Sequence, residues 1–131
     1  MDYTMQVEAP GTFDETIDAT LTALEDEGFG VLCDIDVQAT FEKKLGEEFR
    51  KYRILGACNP PLAHEGLIAD VQLGALLPCN VIVYETDEGD VMVSAVDPKQ
   101  LVGIAENEAL DDIAAEVHER FERVLATVAE A

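Results

Sequence analysis

The chain has 131 residues, of which 48% are hydrophobic and 27% charged, and its net charge is −20 because 28 acidic residues face only 8 basic ones. A chain of this length fits a single domain, residues 1–131, that buries roughly two-thirds of the surface its unfolded form would expose. The hydrophobic content argues against disorder, and the negative charge repels nucleic acids and anionic lipids. We therefore predict a folded domain that binds neither nucleic acid nor membrane.

The acidic residues are spread along the whole sequence rather than held in a tail. This distribution is typical of the solvated surface of a protein from a high-salt cytoplasm, and the alternative is an acidic face that binds cations or basic ligands. Like charges destabilise a compact state unless salt screens them, and the Debye length falls to about 3 Å at 1 M salt. The sequence therefore predicts a halophilic surface whose stability rises with KCl.

The N-terminal residues 1–6 have neither a basic start nor an apolar stretch, and no apolar run approaches transmembrane length. We accordingly predict a cytoplasmic protein. Its three cysteines are an odd number and do not form a disulfide framework. In a reducing compartment such thiols are buried, metal-binding or reactive.

The first two predicted elements are a strand and an amphipathic helix. Residues 3–8 alternate between polar and apolar side chains, and Pro10-Gly11 ends this strand. Thr12 and Glu15 then have the spacing of a capping box, and Gly28 is placed to end the helix that follows.

The next predicted elements are a strand, a short helix and another strand. Residues 29–35 read as the second strand, in which Cys33 is predicted to be a small core residue because its neighbours are apolar. Asp36 can cap a short helix, and residues 49–57 read as the third strand. The buried side of that helix is predicted to consist of Val37, Phe41 and Leu45.

A third helix and a hairpin are predicted next. Asn59 is a suitable N-cap and Pro60 fits the first helical position, so a helix is expected over about residues 61–71. Residues 80–86 and 91–96 read as two strands joined by a turn, which makes an antiparallel hairpin.

The C-terminal part ends in a long helix. Residues 99–106 are ambiguous and are read as a short turn of helix, whereas apolar residues recur at helical spacing from Leu110 to Val128. His118 is interpreted as a surface or boundary residue of that helix. The element order β-α-β-α-β-α-β-β-α predicts a two-layer α+β fold with a single mixed or antiparallel sheet covered by helices.

Two segments in the middle of the chain each place a cysteine at a strand boundary: residues 52–61 contain Cys58, and residues 76–83 contain Cys79. These segments resemble the domain of unknown function 302 family, and the likeness extends over Gly28-Phe29 and residues 34–41 and 93–98. The resemblance covers most of the chain and implies the family's α+β architecture and a homodimer. The family lacks an assigned reaction.

The two cysteines are the main candidates for chemistry. Cys58 precedes a predicted helix N-terminus, which lowers a thiol pKa, whereas nearby carboxylates and burial raise it. Antiparallel pairing of their strands would bring Cys58 and Cys79 to one sheet edge, and a parallel crossover would separate them. Both arrangements remain feasible on the sequence alone.

If the thiols converge, three chemistries compete. A zinc ion could be held by Cys58, Cys79 and His64 with a fourth ligand from elsewhere, although a lone helical histidine usually faces solvent. A copper(I) ion would accept the two thiolates, and a redox pair needs no further ligand. Asn59 and Asn80, each directly after a cysteine, are added as candidate ligand-contacting residues, beside their ordinary roles as a cap and a strand start.

The leading hypothesis is therefore a small domain that uses Cys58 and Cys79 to hold a metal ion or sulfur species or to undergo thiol redox change. The alternative is a homodimeric ligand-binding or scaffold module whose cysteines are purely structural. Catalytic residues are unknown, because the sequence contains neither a phosphate loop nor a familiar hydrolase motif.

Overall fold

A computed structural model describes residues 2–131. Its centre is a five-stranded sheet in the order β1-β5-β4-β3-β2, in which every neighbouring pair is antiparallel. The predicted single sheet is confirmed, and of the two predicted forms it is the antiparallel one. The strands are β1 (Thr4–Ala9), β2 (Gly30–Asp36), β3 (Tyr52–Cys58), β4 (Cys79–Glu85) and β5 (Val91–Val96).

The helices confirm the predicted α+β class and element order. The segment whose structure was ambiguous forms an eight-residue helix, α4, because Asp97 caps it and Pro98 occupies its first position. The helices are α1 (Phe13–Asp26), α2 (Val37–Leu45), α3 (Pro60–Ala69), α4 (Pro98–Ala105) and α5 (Asp111–Glu130), and two 3₁₀ turns cover Val71–Leu76 and Glu108–Leu110.

The core lies between one face of the sheet, called here the inner face, and helices α1 and α5. The predicted capping box begins α1: the Thr12 backbone N–H donates to Glu15 Oε1 at 3.0 Å, and the Glu15 N–H donates to Thr12 Oγ1 at 3.2 Å. In α5, Phe121 is fully buried and its ring stacks on Phe29 with a centroid distance of 4.9 Å.

We call the opposite face of the sheet the outer face. Two predictions, for α2 and for Cys33, are wrong there. The predicted buried side of α2 is wrong: none of its residues is buried, and Leu45 is 67% exposed. This helix lies at the corner of the outer face, where Val37 and Phe41 line an open groove instead of packing into the core.

The prediction that Cys33 is a core residue is also wrong, because its side chain is exposed. A bulge between Val31 and Cys33 shifts the register of edge strand β2, so that Val31 pairs with Ala57 and Cys33 with Gly56. An extra residue in one strand reverses the alternation of side chains beyond it. Cys33 therefore lies on the outer face over Gly56.

His118 is a boundary residue, as predicted. It is 18% exposed, with Nδ1 3.0 Å from Asp97 Oδ1 and Nε2 3.0 Å from Glu122 Oε1. Within residues 2–131, we find no helix with the length and apolar character that a membrane crossing requires.

Candidate functional site

Cys58 and Cys79 lie at the same end of the sheet. Cys58 is the last residue of β3 and Cys79 is the first residue of β4, and the two strands are antiparallel with Ala57 opposite Cys79. Between them, α3 and the 3₁₀ turn Val71–Leu76 carry the chain away and back. Of the two arrangements that the sequence left open, the antiparallel one is present.

Both thiols line an apolar cavity of about 60 Å³ that opens to solvent at this end of the sheet. One ordered water needs about 10–15 Å³ on this measure, so the cavity has room for about four to six waters or a small apolar group. Of the seventeen residues that form its wall in the described structure, all but Cys58, Asn59 and Cys79 are apolar. The apolar wall is supplied mainly by α3, α4 and α5.

Two asparagines predicted as ligand contacts differ in position. Asn59 is 7% exposed and lines the cavity, and its Oδ1 accepts a hydrogen bond from the Leu62 backbone N–H at 3.3 Å. Its oxygen is thus used to cap α3. Asn80 pairs with Gly56 in the sheet, is exposed, and does not line the cavity.

His64 does not join the two thiols. Leu62 and Ala63 on α3 contribute to the cavity wall, whereas His64, the next residue, is exposed and does not line it. In the part of the chain that the structure describes, no three His, Cys, Asp or Glu side chains are arranged to hold a metal ion. The structure thus brings together two of the three predicted zinc ligands, and a zinc ion there would need further donors.

The position of Cys79 determines its ionisation. Burial raises the pKa of the Cys79 thiol to about 11, and the neighbouring charge of Cys58 acts in the same direction. Cys79 is therefore a neutral thiol at physiological pH. A neutral thiol is a weak hydrogen-bond donor and a poor nucleophile.

Sequence reasoning missed the contribution of α4 to the site. Leu101 and Val102 of this helix line the cavity, together with Ile113 and Val117 of α5. A usable signal was present, because Asp97 followed by Pro98 is a typical helix start.

These features define a small α+β domain with an apolar, thiol-containing cavity at one end of an antiparallel sheet. The sequence profile described as "Domain of unknown function DUF302" matches residues 3–128. The chain therefore belongs to this family, as its resemblance implied.

A solved structure agrees with this assignment. The fold is similar to that of an uncharacterised conserved DUF302 protein from Bacillus stearothermophilus, with a TM-score of 0.91 and 31% sequence identity over 98% of this chain and 99% of that one. Comparison with curated proteins finds no match.

Proposed function

We propose that this protein is a binding module that holds the apolar end of a small ligand in the cavity between β3, β4, α3, α4 and α5. The observation that carries the proposal is the composition of the wall, in which fourteen of seventeen described residues are apolar. Ligand sites in proteins are concave and mostly apolar, with a few polar groups that orient the ligand. Here those groups are Asn59 and the two thiols.

The negative charge of the protein restricts the charge of the ligand group that remains outside the cavity. A net charge of −20 repels anions over distances of about 10 Å at 0.1 M salt. A fatty-acid carboxylate or a phosphate group outside the cavity would meet this repulsion. The ligand class supported best is thus a neutral or cationic molecule with a hydrocarbon or aromatic end.

A neutral fluorescent probe tests this proposal. N-phenyl-1-naphthylamine should bind the wild-type protein and gain fluorescence, because its phenyl ring is small enough to enter the apolar cavity. The substitution Ala63→Leu adds three carbon atoms to the cavity wall and should weaken binding at least roughly tenfold, since about 1.4 kcal/mol of lost contact is enough for that change. The measurement is a fluorescence titration at fixed protein concentration.

The matched control is Ala69→Leu, which adds the same atoms to an exposed position on the same helix. It should bind the probe as the wild type does, and 1-octanol should displace the probe from both. Equal affinities of the Ala63→Leu and Ala69→Leu variants, or no binding by the wild type, would contradict a role of the cavity.

A second function, thiol chemistry at Cys58 and Cys79, is favoured by the fact that both side chains line one cavity. With His64 on an exposed position, copper(I) suits the pair better than zinc, because it accepts two thiolates without a third ligand. Binding would release the protons of both thiols. Alternatively, the pair would form a disulfide by losing two protons and two electrons to an oxidant such as glutathione disulfide.

Metal loading distinguishes these outcomes. We expect one copper(I) per wild-type chain, no copper in Cys58→Ala or Cys79→Ala, and normal loading in Cys33→Ala, whose thiol is exposed on the other face. Because the pKa of Cys79 is raised to about 11, protons compete with the metal and affinity should rise roughly tenfold or more per pH unit between pH 6 and 8. The measurement is copper analysis after dialysis against a competing chelator.

Loss of two free thiols from the wild type under glutathione disulfide, without metal uptake, would assign the redox alternative. Unchanged copper content and unchanged thiol titration in both single variants would leave the cysteines as wall residues of the binding cavity.

A further inference from the structure

The outer face of the sheet carries large apolar side chains on its central strands, although the helices of the core cover only the inner face. Ile54 pairs with Ile82 and Tyr84 with Met92, and these side chains point away from the core. An antiparallel sheet with one solvated face normally alternates apolar and polar residues. This sheet carries apolar residues on both faces, which indicates that the outer face is covered in the working protein.

The apolar surface continues beyond the strands. Tyr84 stacks on Tyr52 at 5.6 Å, Tyr52 lies 6.0 Å from Phe49, and Phe49 meets Phe41 of α2 edge-on at 5.1 Å. Of this row, Phe41, Phe49 and Tyr52 line an open groove of about 470 Å³ along α2, together with Ile35. We call the outer strand positions and this groove the outer patch.

The outer patch is almost free of charge. Apart from the terminal pair Gly30 and Cys58, the pairing register places fourteen described strand residues on the outer face, and Glu8 is the only charged one among them. Charged residues make up 27% of the chain, so a random share would be about four. The acidic residues of this protein are thus largely absent from the outer patch.

We propose that the outer patch is the interface of a two-fold symmetric homodimer, in which the two sheets pack face to face. A second copy presents the same largely apolar surface with a single charged residue, whereas a basic partner would be attracted to the acidic remainder of the molecule. Stacked sheets pack about 10 Å apart with interdigitating side chains, which suits isoleucine and methionine.

The available area agrees with a dimer. Five strands about 4.8 Å apart and six residues long at about 3.3 Å per residue form a surface of roughly 480 Å² per copy. Two copies bury roughly 1,000 Å², and the groove along α2 adds to this, which reaches the lower range of specific interfaces.

The dimer is independent of ligand binding, because the cavity with the two thiols lies on the inner side of the sheet. Loss of the dimer should leave the binding of N-phenyl-1-naphthylamine unchanged. The dimer proposal can therefore be wrong while the ligand-binding proposal is right, and the reverse.

Analytical ultracentrifugation in 2 M KCl, where the repulsion between two negative chains is screened, tests the interface. The wild type should sediment as a dimer of twice 14.2 kDa. The substitution Ile82→Asp buries two unpaired carboxylates per dimer and should raise the dissociation constant at least roughly 100-fold. Ile68→Asp, at an isoleucine of α3 that is 76% exposed, is the matched control and should remain dimeric.

A second variant guards against misfolding of Ile82→Asp. Ile35→Asp changes a residue of the outer patch that is 45% exposed in one copy, so the monomer should fold, and it too should dissociate the dimer. A monomeric wild type at about 100 μM in 2 M KCl would overturn the proposal. So would a folded Ile35→Asp variant that remains as dimeric as Ile68→Asp.

Discussion

Replacing Phe121 by alanine is expected to destabilise the protein by about 3–5 kcal/mol, which is a large part of the 5–15 kcal/mol typical of a whole domain. The ring is fully buried in the core and stacks on Phe29, the residue that precedes β2. Its removal loses the transfer free energy of the ring and leaves a cavity that the antiparallel sheet cannot collapse to fill.

Urea denaturation followed by circular dichroism measures this loss in the same buffer for both proteins. Thr127→Ala, on the exposed side of the same helix, is the control and should change stability by no more than about 0.5 kcal/mol. If Phe121→Ala lowers the free energy of unfolding by less than about 1 kcal/mol, the packing of Phe121 contributes little to the stability of the core.

Raising KCl from 50 mM to 2 M is expected to raise the melting temperature by roughly 10 °C. The 28 acidic residues repel one another in the folded state, and salt shortens the Debye length to about 2 Å at 2 M. Screening worth a few kcal/mol corresponds to a shift of this size in a domain of this length. Differential scanning fluorimetry across the salt series gives the result.

A charge-reduced variant separates screening from other effects of salt. Asp18→Asn, Glu25→Gln and Asp26→Asn remove three exposed carboxylates of α1. This triple variant should melt higher than the wild type in 50 mM KCl and gain less from added salt. A melting temperature in 2 M KCl no higher than in 50 mM would show that the acidity is not an adaptation to salt.

The sequence predicted the elements whose signals are local. The capping box of α1, the hairpin of β4 and β5, and the stripe of α5 each depend on residues a few positions apart, and all three are present. It did not predict the side of β2 on which Cys33 lies, because a single inserted residue in that strand reverses the alternation. Nor did it predict the exposure of α2, since helical periodicity shows that a helix has an apolar face but not what covers it.

The candidate site was predicted only in part for the same reason. Cys58 and Cys79 were identified as a pair, but their meeting required the direction of β4 relative to β3, which depends on where α3 returns the chain. The position of His64 relative to the thiols depends on the rotation of α3 about its axis, and that is fixed by packing against α5 rather than by spacing. Asp97 and Pro98 signal the start of α4, but the place of this helix beside the cavity depends on its packing against α5.

The structure of edge strand β2 affects whether further copies can pair with the sheet along this edge. Strand β2 is interrupted by a bulge and carries Asp34 and Asp36, and the Arg53 guanidinium holds the pKa of Asp34 below its usual value, so that this carboxylate stays ionised. A kinked, negatively charged margin is a poor template for an incoming strand. Polymers that grow by adding strands at β2 are therefore disfavoured, even at high salt, where the repulsion between negatively charged copies is screened.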